Sequence, residues 1–319
     1  MSTELSIIIC TYNRAASLEI VLDSLLKQEG VDQENTWEIV VVDNNSSDLT
    51  KNTVKSFSKS LNIRYILEKR QGKSNALNTG IKNSLGRILA FTDDDVIIDR
   101  KWVKTILGVT RNNKYLVYGG RVVPVWPEKV PDWISKKGPY HLPIVGGPIV
   151  AHDLGNEPRE YGKKMWVPTG ANMFCEKKIF SRYGNYRVDL GPRPGKPGYF
   201  HEDSEVMFRL INNGIKLFYC QNAIVYHPVN KDRLNKKYIQ TYFFNAGLSY
   251  DWKNKKIKKW NYLKKLIRQL IEVMKLLKNL IVSEIKDEKI QKMHYKCRVY
   301  IMFGQMCTSI RSLYSSNIR

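Results

Sequence analysis

Four short apolar runs in the first third of the 319-residue chain each stop abruptly in polar residues. They lie at 5–10, 37–42, 63–67 and 88–92, with helix-prone stretches between them. After the first run, Leu18, Val21, Leu22, Leu25 and Leu26 recur at i, i+3, i+4, i+7 and i+8, one face of an amphipathic helix. Residues 43–48 form a polar turn able to cap a helix over about 49–60, and 72–85 reads as a third helix. Strand and helix alternating through short polar turns predict a parallel sheet covered on both faces. Sheets of that kind bind ligands beyond the carboxyl ends of their strands, where these polar residues cluster.

The fourth run ends in Asp93-Asp94-Asp95. Three adjacent carboxylates repel one another unless a cation or positive side chains neutralise them. A hard cation such as Mg²⁺ takes one or two carboxylates plus phosphate oxygens, so a metal-held nucleoside diphosphate fits this strand end. The plainer alternative is an acidic turn in which Asp95 or Asp99 caps the next helix.

The second half is less regular. Residues 116–123 read as a strand, and the Pro- and Trp-bearing stretch 124–148 as an irregular loop. Pro168 to Phe174 reads as a turn entering a strand, and 189–199, rich in glycine and proline, as a loop whose part Gly191 to Gly198 is able to act as a lid. His201-Glu202-Asp203-Ser204-Glu205 opens a helix with acids in its first turn, as the helix dipole favours. Short strands are expected at 216–220 and 223–226, with His227-Pro228 ending the second.

The composition is globular, but 52 basic against 30 acidic residues leave a formal net charge of +22, which predicts attraction to anions. Residues 251–300 alone hold 15 Lys/Arg and 5 Asp/Glu. There Leu263, Leu266, Ile267, Leu270, Ile271, Met274, Leu277, Leu280 and Ile281 make one helical stripe, with Lys264, Lys265, Arg268, Lys275 and Lys278 mostly beside it. The stripe can pack as core, pair with a second copy in a homodimer, or lie on an anionic membrane face; the last is the preferred expectation. The five cysteines form no Cys-x-x-Cys pair, and neither a signal peptide nor a membrane-spanning stretch stands out. A cytoplasmic chain, peripherally associated with the inner face of the membrane, is expected.

Thr11-Tyr12-Asn13-Arg14, Val42-Asp43-Asn44-Asn45-Ser46 and Asp93-Asp94-Asp95 resemble, in order, the donor-site signatures of family 2 glycosyltransferases. Gly72-Lys73-Ser74-Asn75-Ala76-Leu77-Asn78-Thr79-Gly80 is similar to that family's phosphate-side helix start, with Leu77 where many members carry Arg. The resemblance runs from Leu5 to about Ser249. It implies the GT-A fold, an α/β architecture with a mostly parallel Rossmann-like sheet, over 1–250. Within it 1–123 would be the nucleotide-binding half and 124–250 the acceptor and catalytic half, with 251–319 a basic helical extension. It also implies an inverting transfer from a nucleoside-diphosphate sugar, assisted by Mn or Mg. UDP is expected by its frequency among relatives, and a glycan or lipid-linked molecule is the expected acceptor.

Residue chemistry fits that expectation. Asp43, at a strand end, can accept a hydrogen bond from an imide N–H such as that of uracil, while Asn44, Ser46 or Asp48 can equally be turn caps. Thr11 and Arg14 are positioned to line the base pocket, though Thr11 can be a bare helix cap; Tyr12, Asn13, Asn45 and Asn78 join the donor set through their motifs. Asp93 suits a ribose hydroxyl and Asp95 the metal, with Asp94 able to serve as either. Lys73 and the helix start at Gly72 suit phosphate charge, unless Lys73 is a solvated surface lysine. Glu202-Asp203 matches the family's Glu-Asp pair, whose second member is the usual base; Asp203 is therefore the expected base and Glu202 an acceptor contact. The bland alternative is a pair of helix-start acids. His227 resembles a histidine that holds metal or pyrophosphate in part of the fold, against a structural histidine. Thr169, Gly170 and Asn172 match an acceptor-side turn.

Two rival classes are weaker. No nucleic-acid-binding module is recognisable, and much of the excess charge lies away from the acidic rim. A sugar-1-phosphate nucleotidyltransferase would want a Gly-rich phosphate loop after the first strand, and Thr11 to Arg14 holds no glycine.

Overall fold

The computed structural model describes residues 3–31, 36–112, 115–138, 140, 143–162, 167–195, 200–249 and 259–315. β1 (Leu5–Thr11), β2 (Trp37–Asp43), β3 (Ile63–Leu67) and β4 (Ile88–Thr92) pair in parallel in the spatial order β3-β2-β1-β4. Ile7, Ile8 and Ile9 are all buried, as are Ile39, Val40, Val41 and Val42. Successive strand residues point to opposite faces, so burial of every one means that both faces are covered. Each such side chain contributes about 1.5–3 kcal/mol relative to an exposed position. α1 (Ala15–Leu26), α2 (Thr50–Phe57) and α3 (Lys73–Asn83) connect the four strands. Leu18, Val21, Leu22 and Leu25 of α1 face inward, the stripe expected from their spacing. Strand order reverses at β1, which gathers the carboxyl ends of β1, β2 and β4 around one crevice.

Beyond β4 the sheet is mixed rather than parallel. β5 (Ile97–Ile98), α4 (Trp102–Asn112), β6 (Val117–Val125), β7 (Arg159–Glu160), β8 (Asn172–Glu176), α5 (Lys178–Tyr183), α6 (Glu202–Asn212) and β9 (Leu217–Pro228) follow. β8 is inserted between β4 and β6, antiparallel to both. Among the described residues no crossover helix leads from β6 into β8, the connection that a parallel pairing of the two would need. The full order is β3-β2-β1-β4-β8-β6-β9-β5, with β7 also pairing β9.

The two short strands expected at 216–220 and 223–226 are one strand, β9. Its register against β6 shifts between Gly120 and Arg121. The amide of Asn172 fills that irregularity: Nδ2 donates to Arg121 O at 2.9 Å and to Ala223 O at 2.8 Å, and Oδ1 accepts from Trp102 Nε1 at 2.9 Å. A side chain thus satisfies carbonyls that the interrupted ladder leaves open.

The chain divides into two compact units. The first holds Met1–Val125, Ala151–Pro194 and Glu202–Pro228, with the whole sheet. The second holds Trp126–Val150, Gly195–His201 and Val229–Arg319, with α7 (Lys236–Leu248), α8 (Lys259–Ile285) and α9 (Lys289–Ser315). Ile134, Ile144 and Ile149, from the stretch expected to be an irregular loop, pack there with Ile239, Phe243, Met293 and Cys297. α7 and α9 cross at two glycines: a Cβ on Gly304 would lie 2.2 Å from Phe244 O, and one on Gly247 2.2 Å from Ile301 O. Residues 196–199 of the Gly- and Pro-rich loop and 250–258 at the start of the basic segment lie outside the described residues. Among the described residues no helix is long and apolar enough to cross a membrane.

Candidate active site

The turns after β1 and β2 are tied to each other. Asn13 adopts a left-handed φ of 52°, and its Oδ1 accepts from Ser47 N at 2.7 Å while its own N–H donates to Ser46 Oγ at 2.9 Å. Asp48 accepts from Ala15 N at 2.9 Å and from Thr50 N at 3.0 Å, so one carboxylate serves the starts of both α1 and α2. Asn44 donates to Glu68 O and Arg70 O and accepts from Gly72 N at 2.7 Å, fixing the approach to α3. The turn-cap alternative therefore describes Asp48, whereas the Asn44 side chain reaches across to the segment before α3 rather than capping its own turn.

Asp43, at the end of β2, is buried. Its Oδ1 accepts from Ser46 N at 2.8 Å and its Oδ2 from the Tyr65 hydroxyl at 2.7 Å. A carboxylate has about four acceptor positions, so each oxygen retains one. Tyr65 carries no sequence signal for this contact; it follows from β3 pairing with β2. Tyr12 and Asn45 are exposed at the lip, and Thr11 is buried beside Asp94.

The acidic triplet is partly neutralised from within the chain. Arg14 does not point to Asp43: its Nη1 lies 2.9 Å from Asp94 Oδ1 and 3.0 Å from Asp95 Oδ2. Burial works against the Arg14 charge, but Asp94 and Asp95 outweigh it and raise its pKa. Burial likewise raises Asp94 above an ordinary carboxylate, against the pull of Arg14. Asp99, not Asp95, takes the capping position: it accepts from Lys101 N at 2.9 Å just before α4.

Asp93, Asp95 and His227 each offer one ligand atom, all within 4.8 Å of one another. His227, at the end of β9, is buried, with Nε2 at 3.4 Å from Asp95 Oδ1 and Nδ1 at 3.2 Å from Pro228 O. The carbonyl favours the Nδ1–H tautomer, which leaves the Nε2 lone pair facing the two acids. Two hard oxygens and one imidazole nitrogen suit Mn²⁺ or Mg²⁺, the nitrogen favouring the former. The residues present therefore fit a divalent cation.

Lys73 links this cluster to the acids of α6. Its Nζ lies 2.8 Å from Asp93 Oδ1 and 3.9 Å from Glu202 Oε1. Burial opposes its charge, yet Asp93, Asp203 and Glu202 hold its pKa well above the usual lysine value. Lys73 is thus no solvated surface lysine. The phosphate-side helix start is occupied: Lys73 N donates to Pro192 O at 3.0 Å and Ser74 Oγ to Leu190 O at 2.7 Å.

Asp203 Oδ2 accepts from Gly170 N at 2.9 Å, whereas Oδ1 is buried with no hydrogen-bond partner. Burial raises the Asp203 pKa, and Lys73 only partly offsets it. Glu202 is pushed up to about 8, first by burial and then by Asp203. Two acids so close titrate as a pair, and near neutrality the pair keeps a proton. Two residues that no motif singled out share the surroundings. The Tyr186 hydroxyl is buried without a hydrogen-bond partner and feels the charge of Asp203. The Cys10 thiol, its pKa raised by burial, lies in the field of Lys73, Asp94, Asp93 and Asp203.

Two expected ligands are committed elsewhere. Asn78 forms a two-way pair with the backbone of Tyr186, at 2.9 and 3.0 Å, and so tethers that segment to α3. Asn172, expected on the acceptor side, is fully buried and has both N–H donors used in the sheet. Thr169 and Gly170 do adjoin the acids of α6, Gly170 by contact with Asp203 and Thr169 as its chain neighbour, with the Thr169 carbonyl accepting from Asn172 N.

Residues 6–184, more than half of the chain, match the family described as Glycosyl transferase family 2. Glycosyltransferase AglE of Haloferax volcanii is 33% identical over 124 residues, covering 38% of this chain and 40% of that protein. Glucosyl-dolichyl phosphate glucuronosyltransferase of the same organism is 24% identical over 253 residues, covering 77% and 76%. UDP-Glc:alpha-D-GlcNAc-diphosphoundecaprenol beta-1,3-glucosyltransferase WfgD of Escherichia coli is 36% identical over 115 residues, covering 36% and 44%. The matched stretches thus span less than half the length of AglE and WfgD. Among solved structures, mannosyltransferase PcManGT from Pyrobaculum calidifontis, in complex with GDP-Man and Mn2+, has a TM-score of 0.55 at 16% identity, covering 99% of this chain and 76% of that one. That likeness is one of fold.

Proposed function

The chain belongs to glycosyl transferase family 2, and we propose that it moves a sugar, with inversion, from a nucleoside-diphosphate sugar to a hydroxyl of a glycan or lipid-linked acceptor. The observation that carries this reading is the free, buried Oδ1 of Asp203, in the same charge field as Lys73 and the Asp93–Asp95–His227 cluster. An inverting transfer needs one base facing the sugar from the side opposite its leaving group.

Asp203 is the proposed base. With Oδ2 held by Gly170 N, Oδ1 takes the acceptor proton as the acceptor oxygen bonds to the anomeric carbon. The bond from that carbon to the phosphate oxygen breaks, and the nucleoside diphosphate leaves with the electron pair. Glu202 orients the acceptor or shares the proton of the pair. A divalent cation held by Asp93, Asp95 and His227 would neutralise the departing diphosphate, so no general acid is needed on that side. Asp43 reads the base through its remaining acceptor positions, which favours a uracil imide and hence UDP. Thr11, Tyr12, Asn13 and Asn45 edge that donor pocket. Arg14 and Lys73 contribute positive charge at the acidic rim, which three carboxylates otherwise make hostile to phosphate. Relatives named for dolichyl phosphate and diphosphoundecaprenol substrates support a lipid-linked acceptor.

The test is to incubate the protein with UDP- and GDP-sugars, with and without Mn²⁺, and to identify the products. Release of nucleoside diphosphate, together with thermal stabilisation by the matching nucleotide, is expected. Release of pyrophosphate, or no binding of any nucleotide sugar, overturns the reading.

A further inference from the structure

Helix α8 carries two apolar faces, and among the described residues only one is buried in the fold. Val273 and Leu276 are buried together with Gln269 and Ser283, and α8 packs along α9. The other face holds Leu263, Ile267, Leu270, Met274, Ile281 and Ile285, all exposed; Met274 is 62% and Ile285 79% accessible. Their spacing of three, four or seven residues keeps them on one side over the full length of the helix. Single exposed apolar residues are ordinary, but a continuous row of six on a 27-residue helix marks an interaction surface.

We infer that this outward face of α8 docks on an anionic lipid membrane. The charge pattern selects that occupant. Lys264, Arg268 and Lys275 each directly follow an outward apolar residue, so all three are rotated by the same ~100° and line one edge of the stripe, with Lys286 just past the end of the helix. Residues 259–315 hold twelve Lys/Arg and four Asp/Glu. A second copy meeting this face antiparallel across a twofold axis would bring two such basic edges together, where like charges repel. An anionic lipid surface attracts them, and its acyl boundary receives the apolar row to a depth of about 5–10 Å. An apolar row on one side of a helix with basic residues beside it suits attachment in the plane of the surface. This attachment does not depend on which sugar or nucleotide the first unit uses.

Co-sedimentation of the full chain tests this, with vesicles of phosphatidylcholine alone and of phosphatidylcholine with about a third phosphatidylglycerol. The protein is expected to pellet with the anionic vesicles and to be released as ionic strength approaches about 0.5 M, where charge attraction is screened. The combined variant Ile267→Asp, Met274→Asp, Ile281→Asp should stay in the supernatant while keeping the wild-type melting temperature. A second variant, Arg268→Glu, Lys275→Glu, Lys278→Glu, Lys286→Glu, should behave likewise, and it decides the matter if the first melts early. Wild type remaining in the supernatant with anionic vesicles at low salt overturns the inference. So does a dimer, seen by light scattering, that the apolar variant splits into monomers, since a second copy would then cover the face.

Discussion

Gly170 N donates to Asp203 Oδ2 at 2.9 Å, and a Cβ on Gly170 would lie 2.5 Å from that same oxygen. Backbone and carboxylate approach so closely that no other residue fits without moving the acid. One oxygen of Asp203 is pinned and the other is left without a partner, the arrangement a proton acceptor needs.

Asp203→Asn should therefore cut kcat by ~10²–10⁴-fold, the usual worth of a general base, while nucleotide binding stays near wild type. Gly170→Ala should lower kcat through displacement of Asp203 and leave the nucleotide-dependent rise in melting temperature unchanged. Steady-state kinetics beside thermal shift separate the two effects. Full activity in Gly170→Ala, or a crippled Glu202→Gln beside an active Asp203→Asn, assigns the base elsewhere.

Removal of the cation is the second outcome to measure. Asp95→Ala takes away one oxygen ligand and one of the partners of both His227 and Arg14. Turnover should become undetectable with Mn²⁺ or Mg²⁺, and calorimetry should show weakened binding of nucleoside diphosphate. Wild type should lose activity in excess EDTA and regain it when Mn²⁺ is restored. Undiminished turnover in EDTA removes the cation from the reaction.

The raised acids on α6 give activity and stability opposite pH dependences. Glu202 and Asp203 hold protons more tightly folded than unfolded, because burial and mutual repulsion disfavour their charges. Their contribution to stability is complete below the ordinary carboxylate range and is lost as pH rises through about 8. The base function requires an ionised carboxylate, so kcat/KM should rise over that same interval. Lys73→Met removes the cation that lowers both pKa values and should move the rising limb to higher pH. A pH–rate profile that is flat from 5 to about 8 contradicts the pairing.

The parallel half of the sheet was legible because β1, β2 and β4 are buried on both faces, and such strands appear as unbroken apolar runs. The acidic rim was legible because three adjacent carboxylates at a strand end repel one another and call for a neutralising cation or positive side chains. What local sequence does not carry is pairing across distance. Nothing around Asn172 announces an antiparallel strand between β4 and β6, and nothing near residue 220 announces that β9 continues through an irregularity. Arg14 falls in a motif suited to the base pocket but is long enough to reach Asp94 and Asp95 across the crevice. The apolar stripe of α8 was visible, but its division into an inward and an outward face depends on how α9 packs.

Asn172 offers the sharpest contrast between a motif's expectation and a residue's position. As an acceptor ligand, its replacement by alanine would raise the acceptor KM and leave stability alone. In the structure its amide bridges Arg121 O and Ala223 O and receives the Trp102 indole N–H, at a site with no solvent access. Asn172→Ala leaves those three groups buried without partners, and each unsatisfied group costs about 1–3 kcal/mol before any relaxation. Structural adjustment recovers part of that, so a net loss of about 3–5 kcal/mol is expected. Asn172→Asp should be as damaging, because it removes the donors to both carbonyls and buries a charge. Denaturant unfolding of the two variants checks this, with the melting temperature as a second readout. Wild-type stability together with a raised acceptor KM would return Asn172 to the acceptor site and leave the register shift between β6 and β9 without its support.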